Sequence, residues 1–248
     1  MRWTLSILTV LLGMPHANAE TQELRYTLSF NGSDVGHRDL SIRYIDSEQG
    51  EKRFIESWTE FNVRVAQRDF GYKQRLSGLA KTRPMGFSAA MSEDGHLREV
   101  QVAQQPERWI VTHAEYGRSW ALPVATGSFD ATSLTLVDPG AKGFLDNVLV
   151  LKVLSAETGT VVTGQLQREG QSVLAINGSE VQVDTYKWHA EGGAVELAYN
   201  DEGYLVTYSI TIAGQDLTAT LDALPPPRSF EEDMPSVYQA GTIVEEAL

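Results

Sequence analysis

Histidine is the side chain in this sequence best suited to metal binding or proton transfer at neutral pH. The chain has 5 histidines and no cysteine. One histidine lies in the N-terminal leader, and the others are His37, His96, His113 and His189. These four are far apart in the sequence, and none has the close spacing of a metal-binding motif. The sequence therefore predicts no cofactor and no metal. A metal site assembled from distant strands would show no close spacing either, so it stays an alternative.

Three acidic clusters could supply oxygen ligands for calcium or a pair of carboxyl groups for acid–base catalysis. They are Glu93-Asp94-Gly95, Asn200-Asp201-Glu202-Gly203 and Glu231-Glu232-Asp233. None has the alternating oxygen spacing of a calcium loop, and aspartate and glycine are favoured in turns for backbone reasons. The chain also lacks a Gly-x-Ser-x-Gly elbow and a phosphate-binding glycine loop. We therefore predict a protein that is not an enzyme, and a hydrolase with a sequence-dispersed site remains the alternative.

Residues 1–19 have the three parts of a cleavable secretory signal peptide. Arg2 supplies the positive start, residues 5–12 the apolar middle, and Ala17-Asn18-Ala19 the cleavage site. The apolar part is shorter than the ~20 residues that span a bilayer, and no later stretch approaches that length. We expect an exported mature chain that begins at Glu20 and has no transmembrane segment. Export without cysteine fits a bacterial periplasm.

The formal net charge of −13 limits the partners of this chain. A negative charge of this size repels nucleic-acid backbones and anionic lipid headgroups. Because no disulfide is available, the fold must be held together by burial and hydrogen bonding. A chain of this length can bury enough surface to do so.

The hydrophobic pattern along the chain has a period of two residues, which is typical of β-strands with one buried face. Residues 24–30 and 40–44 alternate in this way on either side of Asn31-Gly32, a favoured hairpin turn. Further strands are predicted at 54–65, 71–80, 86–91, 97–103, 109–112, 119–122, 161–167, 173–176, 181–188, 194–199, 204–212 and 217–221. Short links between strands require antiparallel pairing. The pattern predicts an all-β protein with a long curved antiparallel sheet or an incomplete barrel of hairpins.

One stretch, residues 128–154, departs from this pattern and is called the crossover below. It contains a short helix candidate at 130–137, stopped by Asp138-Pro139-Gly140, and an apolar run at 144–154. The crossover either covers an open end of the sheet or closes an apolar cavity on its concave face. For the second case the predicted binding residues are Trp120, Phe129, Leu134, Leu136 and Phe144.

The crossover divides the predicted β domain, residues 20–224, into halves at 20–127 and 155–224. Residues 225–248 form a proline-rich linker and an acidic tail. The tail is either disordered or a peptide arm, in which Ile243-Val244 could add to a sheet edge.

Several segments resemble a family of exported bacterial β-proteins described as a domain of unknown function. They are residues 154–161, 181–188 and 195–206 in the C-terminal half and the hairpin at 26–44, with Gly32 and Gly36, in the N-terminal half. The resemblance implies a long curved antiparallel sheet, akin to the half-open barrels of periplasmic lipoprotein carriers. It implies no activity and no catalytic residues, and the long lid helices of the carriers have no counterpart here.

These observations predict a periplasmic, non-catalytic binding protein. Its ligand would be an apolar or lipid-like molecule on the concave face of the sheet, beneath the crossover. The alternative is a scaffold or assembly factor for an exported protein complex, which would act through sheet edges and the acidic tail.

Overall fold

The computed structural model describes residues 20–45, 51–65, 67–80, 86–191, 193–212 and 214–226. Within them, 15 strands form one sheet in the order β8-β7-β6-β5-β4-β3-β2-β1-β15-β14-β13-β12-β11-β10-β9. The strands of the first half are β1 (Thr21–Phe30), β2 (Ser33–Ile45), β3 (Lys52–Val65), β4 (Arg68–Ala80), β5 (Phe87–Glu93), β6 (His96–Gln104), β7 (Arg108–Glu115) and β8 (Arg118–Ala125). The others are β9 (Ala131–Thr132), β10 (Val150–Leu154), β11 (Val161–Ile176), β12 (Ser179–Ala190), β13 (Gly193–Asn200), β14 (Leu205–Ile212) and β15 (Gln215–Leu221). The predicted leader at 1–19 and the tail beyond residue 226 lie outside the described residues.

The sheet is curved and unclosed, and it confirms the predicted all-β incomplete barrel. Its two halves meet where β1 pairs with β15 in the middle of the strand order. Successive side chains of a strand point to opposite faces of the sheet, so every second side chain points to the concave interior. These are called the inward side chains. In β1 the buried residues of this set are Gln22, Leu24, Tyr26, Leu28 and Phe30. No helix among the described residues is long and apolar enough to cross a membrane.

Tight turns fix the register of several hairpins. Asn31 and Gly32 have φ angles of 51° and 75°, and Asn177 and Gly178 have φ angles of 47° and 78°. Two successive positive φ angles are the backbone of a type I′ turn, whose twist matches that of the flanking strands. The Asn-Gly pairs therefore produce the hairpins β1–β2 and β11–β12, as their sequence predicts.

Two predictions about the strands were wrong. Residues 161–167 and 173–176, predicted as two strands, belong to the single strand β11, which absorbs the irregularity between them as a bulge between Arg168 and Gly170. Pairing is also not antiparallel throughout, since β9 and β10 are parallel. The intervening chain makes this possible, because parallel neighbours need a long connection.

The helix predicted at 130–137 was also wrong. Ala131–Thr132 forms β9, and only Thr135–Val137 is helical, as a single 3-10 turn. The side chains of Thr132 and Thr135 hydrogen-bond each other and the backbone N–H groups of the same two residues. Such local bonds compete with a helix. The apolar run that follows divides into the end of a helix, α1 (Ala141–Leu145), and strand β10.

The crossover lies across the concave interior and contacts both halves of the sheet. On one side, Arg53 of β3 pairs with the buried Asp138. On the other side, Tyr199 of β13 donates a hydrogen bond of 2.7 Å to the carbonyl of Leu136. The indole of Trp188 donates to the carbonyl of Leu151 at 3.3 Å. Backbone carbonyl groups of the crossover inside the protein thereby obtain hydrogen-bond partners.

Asp138 makes the stability of the fold depend on pH. Burial outweighs the attraction of Arg53 and raises the pKa of the Asp138 carboxyl from 3.8 to about 6. Between these values the folded protein holds a proton that the unfolded chain has lost, so the free energy of unfolding falls as pH rises from 4 to 7. The Asp138→Asn variant lacks this titration. Urea unfolding measures the free energy of unfolding of both proteins at each pH. We expect the difference between wild type and variant to fall by about 3 kcal/mol at most from pH 4 to pH 7. A flat difference would contradict the assignment.

Candidate binding cavity

The concave face of the sheet encloses a cavity of about 500 Å³ that is partly open to solvent. Strands β1–β5 line one side of it and β11–β15 the other. The crossover and β10 supply Ser133, Leu136, Val137 and Val153 to its wall. The volume lies within the range of small-molecule sites in proteins.

Most of the wall is apolar because these strands place their inward positions around the cavity. The aliphatic side chains come from both halves of the sheet and from the crossover. They are Leu28, Leu76, Leu136, Val137, Val153, Val162, Val195, Leu197, Leu205, Ile210 and Leu217. Aromatic rings are added by Phe61, Phe70, Tyr72, Trp188 and Tyr208. A wall of this kind favours a ligand with a large apolar part.

Arg38 is the buried cation of the cavity wall. It occupies an inward position of β2, in series with Leu40, Ile42 and Tyr44, and its exposed fraction is 8%. Its Nε donates to Ser57 Oγ at 2.8 Å, and Nη1 donates to Tyr208 Oη at 3.3 Å. The guanidinium also lies over the Tyr208 ring, 5.6 Å from the ring centre. Its position is thus fixed by both halves of the sheet.

Three carboxyl groups, those of Glu93, Glu157 and Glu191, also line the cavity. The hydroxyl of Tyr72 donates to Glu157 Oε1 at 3.4 Å. Burial raises the pKa of Tyr72 and Tyr26 above their usual value of 10, so both hydroxyls are neutral donors at physiological pH. The Tyr26 hydroxyl donates to the carbonyl of Leu205 at 2.8 Å. The cavity therefore has an apolar wall with a few fixed polar groups, which suits orientation of a ligand.

The structure does not bring the five predicted binding residues together. Leu136 lines the cavity. Leu134 and Phe129 instead lie in the core, with exposed fractions of 1% and 5%, and the ring of Phe129 is 5.3 Å from that of Trp109. Neither Leu134 nor Phe129 lies among the residues that line the cavity.

The other two predicted residues lie elsewhere. Trp120 is on the edge strand β8, 42% exposed and stacked on the ring of His113 at 5.2 Å. Phe144 belongs to α1 and lines a smaller cavity of about 380 Å³ with Arg53 and Asp138. Aromatic type and position in the crossover are thus insufficient to identify the wall of the larger cavity.

Sequence reasoning missed Arg38 and Tyr208. The signal for Arg38 was present, because Arg38 stands at the start of the inward series of β2 that continues with Leu40, Ile42 and Tyr44. A charged residue on the buried face of a strand is uncommon and needs a reason. Tyr208 gave no such signal, since a tyrosine is an ordinary residue in a strand.

Among the described residues, no group of three or more histidine, aspartate and glutamate side chains is arranged to hold a metal ion. His113 is buried beneath the 155–160 turn, and burial lowers the pKa of its imidazole. Its Nε2 lacks a hydrogen-bond partner within the described part of the chain. The acidic turn at 200–203 is closed by its own backbone bonds, since the N–H of Gly203 donates to the carbonyl of Asn200.

Comparison with known proteins identifies the fold. No protein-family model matches the chain, and no curated protein matches it. Among solved structures, it is similar to a β-barrel-like protein of the domain of unknown function DUF1849 from Brucella abortus. The two share 10% sequence identity with a TM-score of 0.57, over 81% of this chain and 95% of that one. The likeness at this identity is one of fold, and it places the chain beside a β-protein family of unknown function.

Proposed function

We propose that this protein is a non-catalytic, periplasmic binding protein that holds an apolar or lipid-like small molecule on the concave face of its sheet. The observation that carries the proposal is the cavity of about 500 Å³, whose wall is formed mostly by aliphatic and aromatic side chains. Burial of apolar surface is the main source of affinity in such a site. The location rests on the leader at residues 1–19, and an exported protein that begins at Glu20 would verify it.

The test is binding of the apolar fluorescent probe N-phenyl-1-naphthylamine to the purified chain. We expect saturable binding with enhanced fluorescence, because the probe enters a water-poor site. Val195 of β13 lines the cavity, is partly buried and shares the inward face with Leu197, so Val195→Trp places a ring in the ligand volume. We expect this variant to weaken probe binding at least tenfold, about 1.4 kcal/mol.

The matched control is Ala121→Trp, which adds the same ring to an exposed position of β8. Its probe affinity should equal that of the wild type. A wild type without saturable binding would overturn the proposal. Equal affinity in both variants would place the probe outside the cavity and have the same consequence.

The scaffold alternative has less support from the structure. Strand β8 is an edge of the sheet, and it exposes Trp120 and Leu122. It also carries Pro123, and proline on an edge strand hinders addition of another strand. The acidic tail that would complete this alternative lies outside the described residues.

A further inference from the structure

The charge of Arg38 lacks an ion-pair partner in the described part of the chain. Its hydrogen bonds go to two hydroxyl groups, on Ser57 and Tyr208. Among the described residues, no carboxylate oxygen lies within 4.0 Å of the guanidinium. Arginine side chains are almost never fully buried unless they are paired, because removing a charge from water is costly. The carboxyl of Glu157 in the same cavity is close enough for the charge of Arg38 to oppose the burial that raises its pKa, but it lies beyond 4.0 Å from the guanidinium. The space beside Arg38 can therefore still take an anion from elsewhere.

The guanidinium of Arg38 also has unused N–H donors for an anion. A guanidinium has five N–H donors, and the bonds from Nε and Nη1 use two of them. The Nη2 group makes no hydrogen bond within the described residues, and Arg38 is part of the cavity wall. Planar donors of this kind bind carboxylate or phosphate oxygens in pairs. The hydroxyl of Tyr208 beside it is a further donor for the same anion.

The other charged groups of the cavity do not serve this purpose. Glu157 accepts a hydrogen bond from the Tyr72 hydroxyl, and burial raises the pKa of its carboxyl, which favours the neutral form. Glu93 and Glu191 have the same sign as an anionic ligand and would repel an anion placed beside them. The position that favours a negative head group is therefore Arg38, and the aliphatic wall continues from it on Leu28, Leu205 and Leu217.

We propose that the cavity takes a single-chain amphiphile with an anionic head group, and that Arg38 binds the head group while the aliphatic wall binds the chain. This inference rests on the proposed function, since it names the ligand class of the same cavity. The volume of about 500 Å³ corresponds to one small ligand, which favours one alkyl chain over two. The head group is a carboxylate, as in a fatty acid, or a phosphate, as in a monoalkyl phosphate.

The experiment measures displacement of N-phenyl-1-naphthylamine by three sixteen-carbon probes: palmitate, hexadecyl phosphate and the uncharged hexadecanol. We expect palmitate or hexadecyl phosphate to bind the wild type at least tenfold more tightly than hexadecanol. In Arg38→Met that preference should disappear, while hexadecanol binding is retained. Arg38→Lys should keep part of the preference, because lysine keeps the charge without the planar donors. The better of the two anions identifies the head group.

The matched control is Arg43→Met. Arg43 is on the same strand but on the opposite, exposed face, so the variant loses the same charge outside the cavity. It should keep the full preference for the anion. Circular dichroism establishes that each variant is folded. Tyr208→Phe is a milder change, which removes one hydroxyl donor beside Arg38 and should reduce the preference for the anion.

The outcomes separate the two proposals. If the probe and hexadecanol bind but the wild type has no preference for either anion, the assignment of Arg38 is overturned and the proposed function stands. The same conclusion follows if Arg38→Met keeps the preference. If neither the probe nor any sixteen-carbon ligand binds, both proposals fail.

Discussion

Replacement of Arg53 by methionine is expected to lower the free energy of unfolding by about 3 to 5 kcal/mol at pH 7. Arg53 Nη2 donates to Asp138 Oδ2 at 2.9 Å, and Nε lies 2.5 Å from Oδ1. The exposed fractions of the two side chains are 15% and 3%. The variant leaves the buried carboxylate of Asp138 without its cation. Removing one partner of a buried ion pair is strongly destabilising, because the other charge stays buried and unpaired. Urea unfolding monitored by tryptophan fluorescence measures the loss.

A surface pair provides the control. Arg64 lies 2.7 Å from Asp69, but the two side chains are 71% and 79% exposed. Arg64→Met should change stability far less than Arg53→Met does, because exposed pairs contribute little. The loss in Arg53→Met should also shrink at pH 4, where Asp138 is protonated in the folded protein. A loss below that of Arg64→Met would show that the buried pair does not hold the crossover to β3.

The hairpins could be predicted from the sequence because their determinants are local. Alternation over five to seven residues identifies a strand with one buried face, and an Asn-Gly pair specifies the turn that joins two of them. Both determinants act on neighbouring residues. The all-β fold and the unclosed, curved sheet follow from many such local choices that agree with one another.

The crossover could not be predicted in the same way, because its conformation depends on distant residues. Asp138 is held by Arg53, 85 positions away in the sequence, and Leu136 by Tyr199, 63 positions away. Local pattern favoured a helix at 130–137, and these tertiary contacts together with the Thr132–Thr135 bonds override it. Helix propensity is a weak determinant in a segment this short.

The cavity was anticipated in place but not in most of its residues. The concave face beneath the crossover could be inferred from the curvature of a long sheet. Its wall is formed mainly by inward strand positions from both halves, which only the three-dimensional pairing brings together. Four of the five predicted binding residues, Trp120, Phe129, Leu134 and Phe144, lie outside that wall. The division into leader, β domain and tail remains a prediction.

Leu134 and Leu136 test whether the cavity wall has been placed correctly, because they are two residues apart in the crossover and have different surroundings. Leu134 is 1% exposed, and it packs so closely against Gly78 that a Cβ there would lie 2.8 Å from Leu134 Cδ1. We expect Leu134→Ala to lower the free energy of unfolding by about 2 to 5 kcal/mol, the range for buried leucines. Urea unfolding gives the value.

Leu149→Ala serves as the matched control. Leu149 is 81% exposed and also lies in the crossover. Its truncation should change the free energy of unfolding by about 0.5 kcal/mol or less, as for most surface substitutions. Equal losses at Leu134 and Leu149 would contradict the packing of the crossover against β4.

Leu136→Ala is expected to weaken ligand binding more than it lowers the stability of the fold. Leu136 is partly buried and faces the cavity, so its truncation removes a contact from the ligand rather than from the core. We expect a smaller loss of stability than in Leu134→Ala, together with a several-fold weaker affinity for N-phenyl-1-naphthylamine. Leu134→Ala, measured under conditions where it is folded, should keep the affinity of the wild type. If the two effects were reversed, the ligand would contact Leu134, and the cavity described above would not be the binding site.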